Sequence, residues 1–295
     1  MTASSDATAS RGQSPHGGPS RGGIQAHGVG VRLGGRSIVD GVDLDAAPGT
    51  LTAIVGPNGS GKTTLLRALA GLVDCSGRVA VNGHDVRGLG PAERARLVAY
   101  LPQASELRAL LSVRQVVALG RYAQRPGLFA STRADEQAVL AALERVRAPE
   151  LLEQAFPRLS GGQKRLVLLA RALATGARTL LLDEPTASLD VKHSLELFEL
   201  LAQLASDGYT LVVVLHDLDD VERHAARALL LDAGRVQAWG PPAAAPFAAA
   251  AERTYGVSLV PHGRLGFRLP RSSSPEGAAS PAPVASTSPA PEAAP

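Results

Sequence analysis

Gly56–Thr63 reads G-P-N-G-S-G-K-T, with three glycines ahead of a lysine and a hydroxyl. Glycines at these places let backbone N–H groups turn inward, and a helix beginning there adds its positive end. Such a loop cradles phosphate oxygens. Lys62 then carries a cation to the β- and γ-phosphates, and the Thr63 hydroxyl is placed for Mg²⁺. Further along, Thr179–Pro185 (TLLLDEP) sets two carboxylates, Asp183 and Glu184, at the end of an apolar run. Behind a phosphate loop, one acid at that point can hold Mg²⁺ and a second can polarise water against the terminal phosphate. Leu159–Gln163 (LSGGQ) offers Ser160 as an N-cap and two glycines whose N–H groups face outward from a positive helix end. Taken singly, Asp-Glu-Pro is ordinary turn chemistry and LSGGQ is plain capping.

These groups need a frame. Leu51–Val55 is a short apolar run feeding the glycine-rich loop, and a helical pattern, Leu65–Leu72, follows. Thr179–Asp183 and Thr210–His216 are continuous apolar strands, as expected of central parallel strands covered on both faces. Between them Val191–Ala205 carries Val191, Leu195, Phe198, Leu201 and Leu204 at helical spacing and stops at Asp207-Gly208. Strand, helix, strand at that spacing predicts a βαβ crossover and an α/β fold. Ser112–Arg147 holds two helical patterns separated by RYAQRPG, so a helical insertion over about 104–160 is expected inside the α/β frame. Ser160 precedes a strong helix, Gly161–Thr175.

Composition narrows the classes. Met1–Gly23 and Arg271–Pro295 are rich in Ser, Ala, Gly and Pro and poor in large apolar groups, so both read as disordered extensions around a domain over 24–270. The lone Cys75 excludes a disulfide-stapled secreted domain. No apolar run approaches the ~18 residues of a membrane-spanning helix, and the N-terminus does not read as a secretory signal, which predicts a cytosolic chain. The net charge is +3, and only Lys62, Lys164 and Lys192 are lysines among 30 basic residues. The arginines are dispersed among acids and aromatics make up 3%, so a nucleic-acid surface is not expected.

The ordered set decides the reading. A phosphate loop, LSGGQ, TLLLDEP, Ser188-Leu189-Asp190 and then His216 together resemble the ATP-binding subunits of ABC transporters over about 24–270. The resemblance implies a P-loop NTPase cassette with a mainly parallel core sheet, an antiparallel β subdomain and a helical subdomain, using ATP and Mg²⁺. It assigns Gly56, Pro57, Asn58, Gly59, Ser60, Gly61, Lys62, Thr63 and Thr64 to the Walker A loop. Asp183 becomes the Walker B ligand of Mg²⁺, which Thr63 and Gln103 would share. Glu184 becomes the general base, Gln103 the Q-loop glutamine and His216 the switch histidine. Ser188, Leu189 and Asp190 match the D-loop. Ser160, Gly161, Gly162 and Gln163 would contact the nucleotide held by the opposite subunit. One chain then completes neither site alone, and a head-to-tail pair with two ATP molecules is implied. The further partners implied are membrane permease subunits and, indirectly, a substrate-binding protein, with the chain peripheral on the cytoplasmic face of the cell membrane.

Several shorter runs resemble importers of iron-siderophores, haem and cobalamin. They are Val81–Val86, Gly90–Gln103, Val117–Tyr122 with Pro126–Phe129, Leu189–His193, Thr254–Val257 and Pro261–Leu265. Such subunits carry no cargo pocket, so His84, His193 and His262 are read as surface residues and not as metal or haem ligands. The segment 103–127 is the candidate for receiving a cytoplasmic helix of the permease. One departure from the family stands out. Leu33 occupies the place where an aromatic ring commonly meets adenine, which makes base packing apolar. The competing readings are a soluble ABC ATPase of DNA repair or translation, an importer of another substrate class, and a regulatory module without turnover. The absence of a second cassette or a long coiled-coil or basic insertion argues against the first. Intact Lys62, Asp183, Glu184 and His216 argue against the last.

Overall fold

The alternation of side chains along two strands shows how the molecule is layered. In β3 (Leu51–Val55), Leu51, Ala53 and Val55 enter one core and Ile54 enters another. In β8 (Thr210–Val214), Leu211 and Val213 face the first core while Val212 and Val214 face the second. Side chains in a strand point alternately to opposite faces, so both faces of this sheet are covered. The computed structural model describes residues 22–103, 110–124, 132–187, 189–261 and 265–268. The extension over 271–295, most of that over 1–23, parts of the expected insertion and Ser188 lie outside the described residues.

The central sheet has six strands in the order β10-β9-β3-β8-β7-β6, with β6 (Val98–Leu101), β7 (Thr179–Asp183), β9 (Arg227–Asp232) and β10 (Arg235–Gly240) beside the two already given. All neighbours are parallel except the β9–β10 edge hairpin. A second, antiparallel sheet runs β2-β1-β4-β5, from Ile24–Leu33 (β1), Arg36–Ala46 (β2), Ser76–Val81 (β4) and His84–Asp85 (β5). Helix α1 (Lys62–Leu69) lies between the sheets, and its Leu65, Leu66 and Leu69 fill the core with Ile24, Val29, Val42, Leu181 and Val212. The helical layer has α2 (Pro91–Leu97), α3 (Val113–Ala118), α4 (Arg133–Arg145) and α5 (Gly161–Ala174), then α6 (Val191–Ser206) and α7 (Leu218–His224). Val116, Val117, Val139 and Leu143 of α3 and α4 pack with Val167 and Leu168 of α5.

Two sequence expectations shift. The helix after the phosphate loop starts at Lys62 and not Leu65, because Gly61 is left-handed and hands the chain straight to the first turn. In α6 the apolar face is Leu197, Phe198, Leu201 and Leu204, joined by Leu200, while Val191 and Leu195 stay exposed. The start of α6 is exposed, so the periodicity there finds no core to meet.

Candidate functional site

Parallel strands bring their carboxyl ends to one edge, and loops leaving that edge build sites. The phosphate loop leaves β3, Leu215 and His216 follow β8, Asp183 ends β7 with Glu184 next, and Gln103 lies just beyond β6. Because β3, β8, β7 and β6 are consecutive neighbours, residues far apart in sequence arrive side by side. Asp183 pairs level with Val214, which pairs level with Ile54.

The loop over 56–63 is threaded too tightly for side chains at two positions. A Cβ on Gly56 would stand 1.9 Å from the Leu231 carbonyl oxygen, and one on Gly61, at φ +100°, would stand 2.7 Å from that of Ile38. Asn58, Gly59, Gly61, Lys62, Thr63 and Thr64 line a polar recess of about 290 Å³, with Ile38 and Glu184 at its rim. Lys62 is buried, and its Nζ donates to Gly56 O at 2.8 Å and Pro57 O at 2.9 Å. Burial lowers its pKa, against the pull of Glu184 and Asp183. Ser60 is buried too, and its Oγ has no protein partner among the described residues. A buried, unpartnered hydroxyl inside a glycine-walled loop fits a ligand rich in oxygen. Tyr255, from helix α8 (Ala245–Tyr255), reaches the Gly56 backbone, and burial pushes its phenol up to about 12.

The two acids have distinct surroundings. Asp183 is buried, its Oδ1 accepting from Thr63 Oγ1 at 3.1 Å and its Oδ2 from the Tyr100 hydroxyl at 3.1 Å. Burial raises its pKa, although both hydrogen bonds oppose the rise. Glu184 is only half-buried and points between two polar groups: Gln103 Nε2 donates to Oε2, and His216 Nε2 lies 2.5 Å from Oε1. Its φ is +46°, left-handed for a residue with a side chain. Such strain persists only where the surroundings over-determine it.

Arg165 supplies that constraint, and the sequence reading missed it. Its buried guanidinium donates to the carbonyls of Asp183, Glu184 and Pro185 after β7 and to those of Pro102 and Gln103 after β6. Desolvation lowers its pKa to about 10, so it stays charged at neutral pH. The available signal was an arginine on the apolar stripe of α5, three, four and seven residues before the buried Leu168, Leu169 and Ala172. Tyr100 was missed as well, lying without a role inside the run Gly90–Gln103.

The remaining expected residues lie apart from the recess. Ser160 caps α5 in a capping box with Gln163, and Gly161 opens the helix exposed. Asp190 caps α6 and its carboxylate meets His193 Nδ1 at 2.7 Å. Gly162 and Leu189 line a separate cavity of about 200 Å³ with Arg165 and His193. None of Ser160, Gly161, Gly162, Gln163, Leu189 or Asp190 lines the recess of their own chain. A third feature is an apolar groove of about 700 Å³ between the end of α1, α2, the turn over 119–123 and the end of α5, walled by exposed Leu72, Leu119 and Tyr122. Of the described part of 103–127, only Leu119, Gly120, Tyr122 and Ala123 line it.

A family model described as ABC transporter matches residues 39–187. A hemin import ATP-binding protein, HmuV, of Rhizobium meliloti (strain 1021) is 39% identical over 262 residues, covering 84% of this chain and 98% of its own. The chain belongs to the ABC transporter family. A cobalamin import ATP-binding protein, BtuD, of Halobacterium salinarum is 41% identical over 221 residues, covering 74% of this chain and 55% of its own. The dimeric structure of a bacterial ABC transporter cassette superposes with a TM-score of 0.65 at 28% identity, covering 75% of this chain and 99% of that one. This ABC cassette is thus an ATP-binding ATPase domain with the expected mainly parallel core sheet. Among its described residues no helix is long and apolar enough to cross a membrane. No group of three or more His, Cys, Asp or Glu could hold a metal ion there either.

Proposed function

We propose that this cassette hydrolyses Mg²⁺-ATP in a head-to-tail pair and thereby drives an importer whose permease is a separate chain. The observation that carries the proposal is the Glu184 carboxylate held between Gln103 and His216 at the mouth of the phosphate recess. The loop amides and Lys62 would bind the phosphates. Thr63 and Asp183 present a hydroxyl and a carboxylate 3.1 Å apart, a hard oxygen pair that suits Mg²⁺ with Gln103 nearby. Bound Mg²⁺ would neutralise charge developing on the phosphate oxygens. Glu184 would accept the proton of the attacking water, with Gln103 and His216 fixing its oxygens.

Ser160–Gln163 and Leu189–Asp190 stand outside their own recess, which supports a site completed by the partner's signature and D-loop residues. The exposed amides at the start of α5 suit a phosphate presented from the other subunit. The groove walled by Leu72, Leu119 and Tyr122 supports docking of an amphipathic cytoplasmic helix of the permease, which would hold the cassette at the membrane face. The relatives' names favour haem or cobalamin as cargo, and iron-siderophores belong to the same chemical class of large metal chelates. Cargo would be chosen by the permease and a binding protein. Pull-down of the tagged chain from native membranes tests this: a polytopic permease should co-purify, whereas recovery of ribosomes or DNA-repair proteins would contradict transport.

A further inference from the structure

Tyr100 belongs to two places at once. It is one of the residues lining the apolar groove, with Ala95, Val98 and Ala99, and its partly buried side chain packs against the core around α1. Its hydroxyl lies 3.1 Å from Asp183 Oδ2. Arg67 of α1 fixes the direction of that bond: its Nε stands 3.4 Å from the phenol oxygen and can only donate, so the single phenolic proton goes to Asp183. Thr63 occupies the other carboxylate oxygen. Asp183 is therefore held by one donor on each oxygen, one from the phosphate loop and one from the groove wall. The turn that follows α1, the helix carrying Arg67, also contributes Ala70 and Leu72 to that wall.

We propose that Tyr100 is a positioning residue that couples occupancy of the groove to the setting of the Asp183 carboxylate, and so to Mg²⁺ binding. This rests on the docking reading of the groove given above. A helix seated in the groove touches the residue whose hydroxyl sets the carboxylate plane, so one residue spans the two sites. The route is distinct from Gln103, which contacts Glu184 and does not line the groove.

The test compares Mn²⁺ binding, read by electron paramagnetic resonance in the presence of ATP, for the wild-type chain and Tyr100→Phe. That substitution keeps the ring and removes only the donor. Loss of one hydrogen bond to a charged acceptor should weaken Mn²⁺ about tenfold, leave ATP affinity in EDTA unchanged, and lower kcat with little change in the KM for ATP. Tyr122→Ala, which alters the groove without touching Asp183, should retain wild-type Mn²⁺ affinity yet lose capture of the permease from native membranes. A Tyr100→Phe isotherm that coincides with wild type overturns the coupling and leaves docking intact. Undiminished permease capture by Tyr122→Ala overturns the docking reading and, with it, the coupling, whatever Tyr100→Phe does to Mn²⁺.

Discussion

Asp183 and Glu184 are neighbours in the chain, each with both oxygens partnered, and they differ in where they face. The first is buried with both oxygens bonded, and the second faces the recess through a left-handed backbone turn. Their expected failures differ accordingly. Glu184→Gln should lower kcat by about 10²-fold or more, the usual contribution of a general base, while ATP still binds. Asp183→Asn should instead raise the Mg²⁺ concentration needed for half-maximal hydrolysis. Single-turnover assays across a Mg²⁺ series separate the two, and equal rates for Glu184→Gln and wild type would remove Glu184 from the chemistry. Leu33, half-exposed at the end of β1, presents only an aliphatic surface at the place where the family resemblance would set adenine. Leu33→Tyr should lower the KM for ATP about fivefold, since aromatic stacking on a base is worth ~1 kcal/mol or more; an unchanged KM would place the base elsewhere. Motif spacing singled out the phosphate loop and both acids in the sequence, while Gln103 and His216 entered only through the family resemblance. Arg165 and Tyr100 were not legible in the same way, because their roles depend on which strand ends become neighbours.

At the scale of elements, the site is an edge property of the central sheet. Four strand ends place its parts, and Arg165 from α5 ties the ends of β6 and β7 through five carbonyls. Arg165→Met should cost about 3 kcal/mol, since several buried carbonyls lose a charged donor at once. It should also lower hydrolysis, because the turn at Glu184 loses its constraint. Chemical denaturation checks the first effect, and a midpoint matching wild type would show that the guanidinium is dispensable. The strands were readable because β3, β7 and β8 are continuous apolar runs buried on both faces. The exposed start of α6 and the groove were not, because a helical stripe does not show where its neighbour ends. Val191 fits the period and meets solvent.

On the scale of the whole molecule, residues 160–163 and the phosphate loop do not share a recess within one chain, and under the proposed function a complete site takes two chains. The terminal segments are not needed in that scheme. Deleting residues 1–21 should leave ATPase activity unchanged, as measured by phosphate release, and a large loss would reveal a docking role. The deletion should stop there because Gly23 N donates to Asn82 Oδ1 and Asn82 N donates back to Gly23 O. The most direct test of the account is the mass of the Glu184→Gln chain in solution, measured by light scattering after size exclusion with and without Mg²⁺-ATP. A hydrolysis-blocked cassette with sites shared between subunits should be a monomer alone and a dimer with nucleotide, and Ser160→Arg should abolish the dimer. A chain that binds ATP and remains a monomer would contradict the shared site.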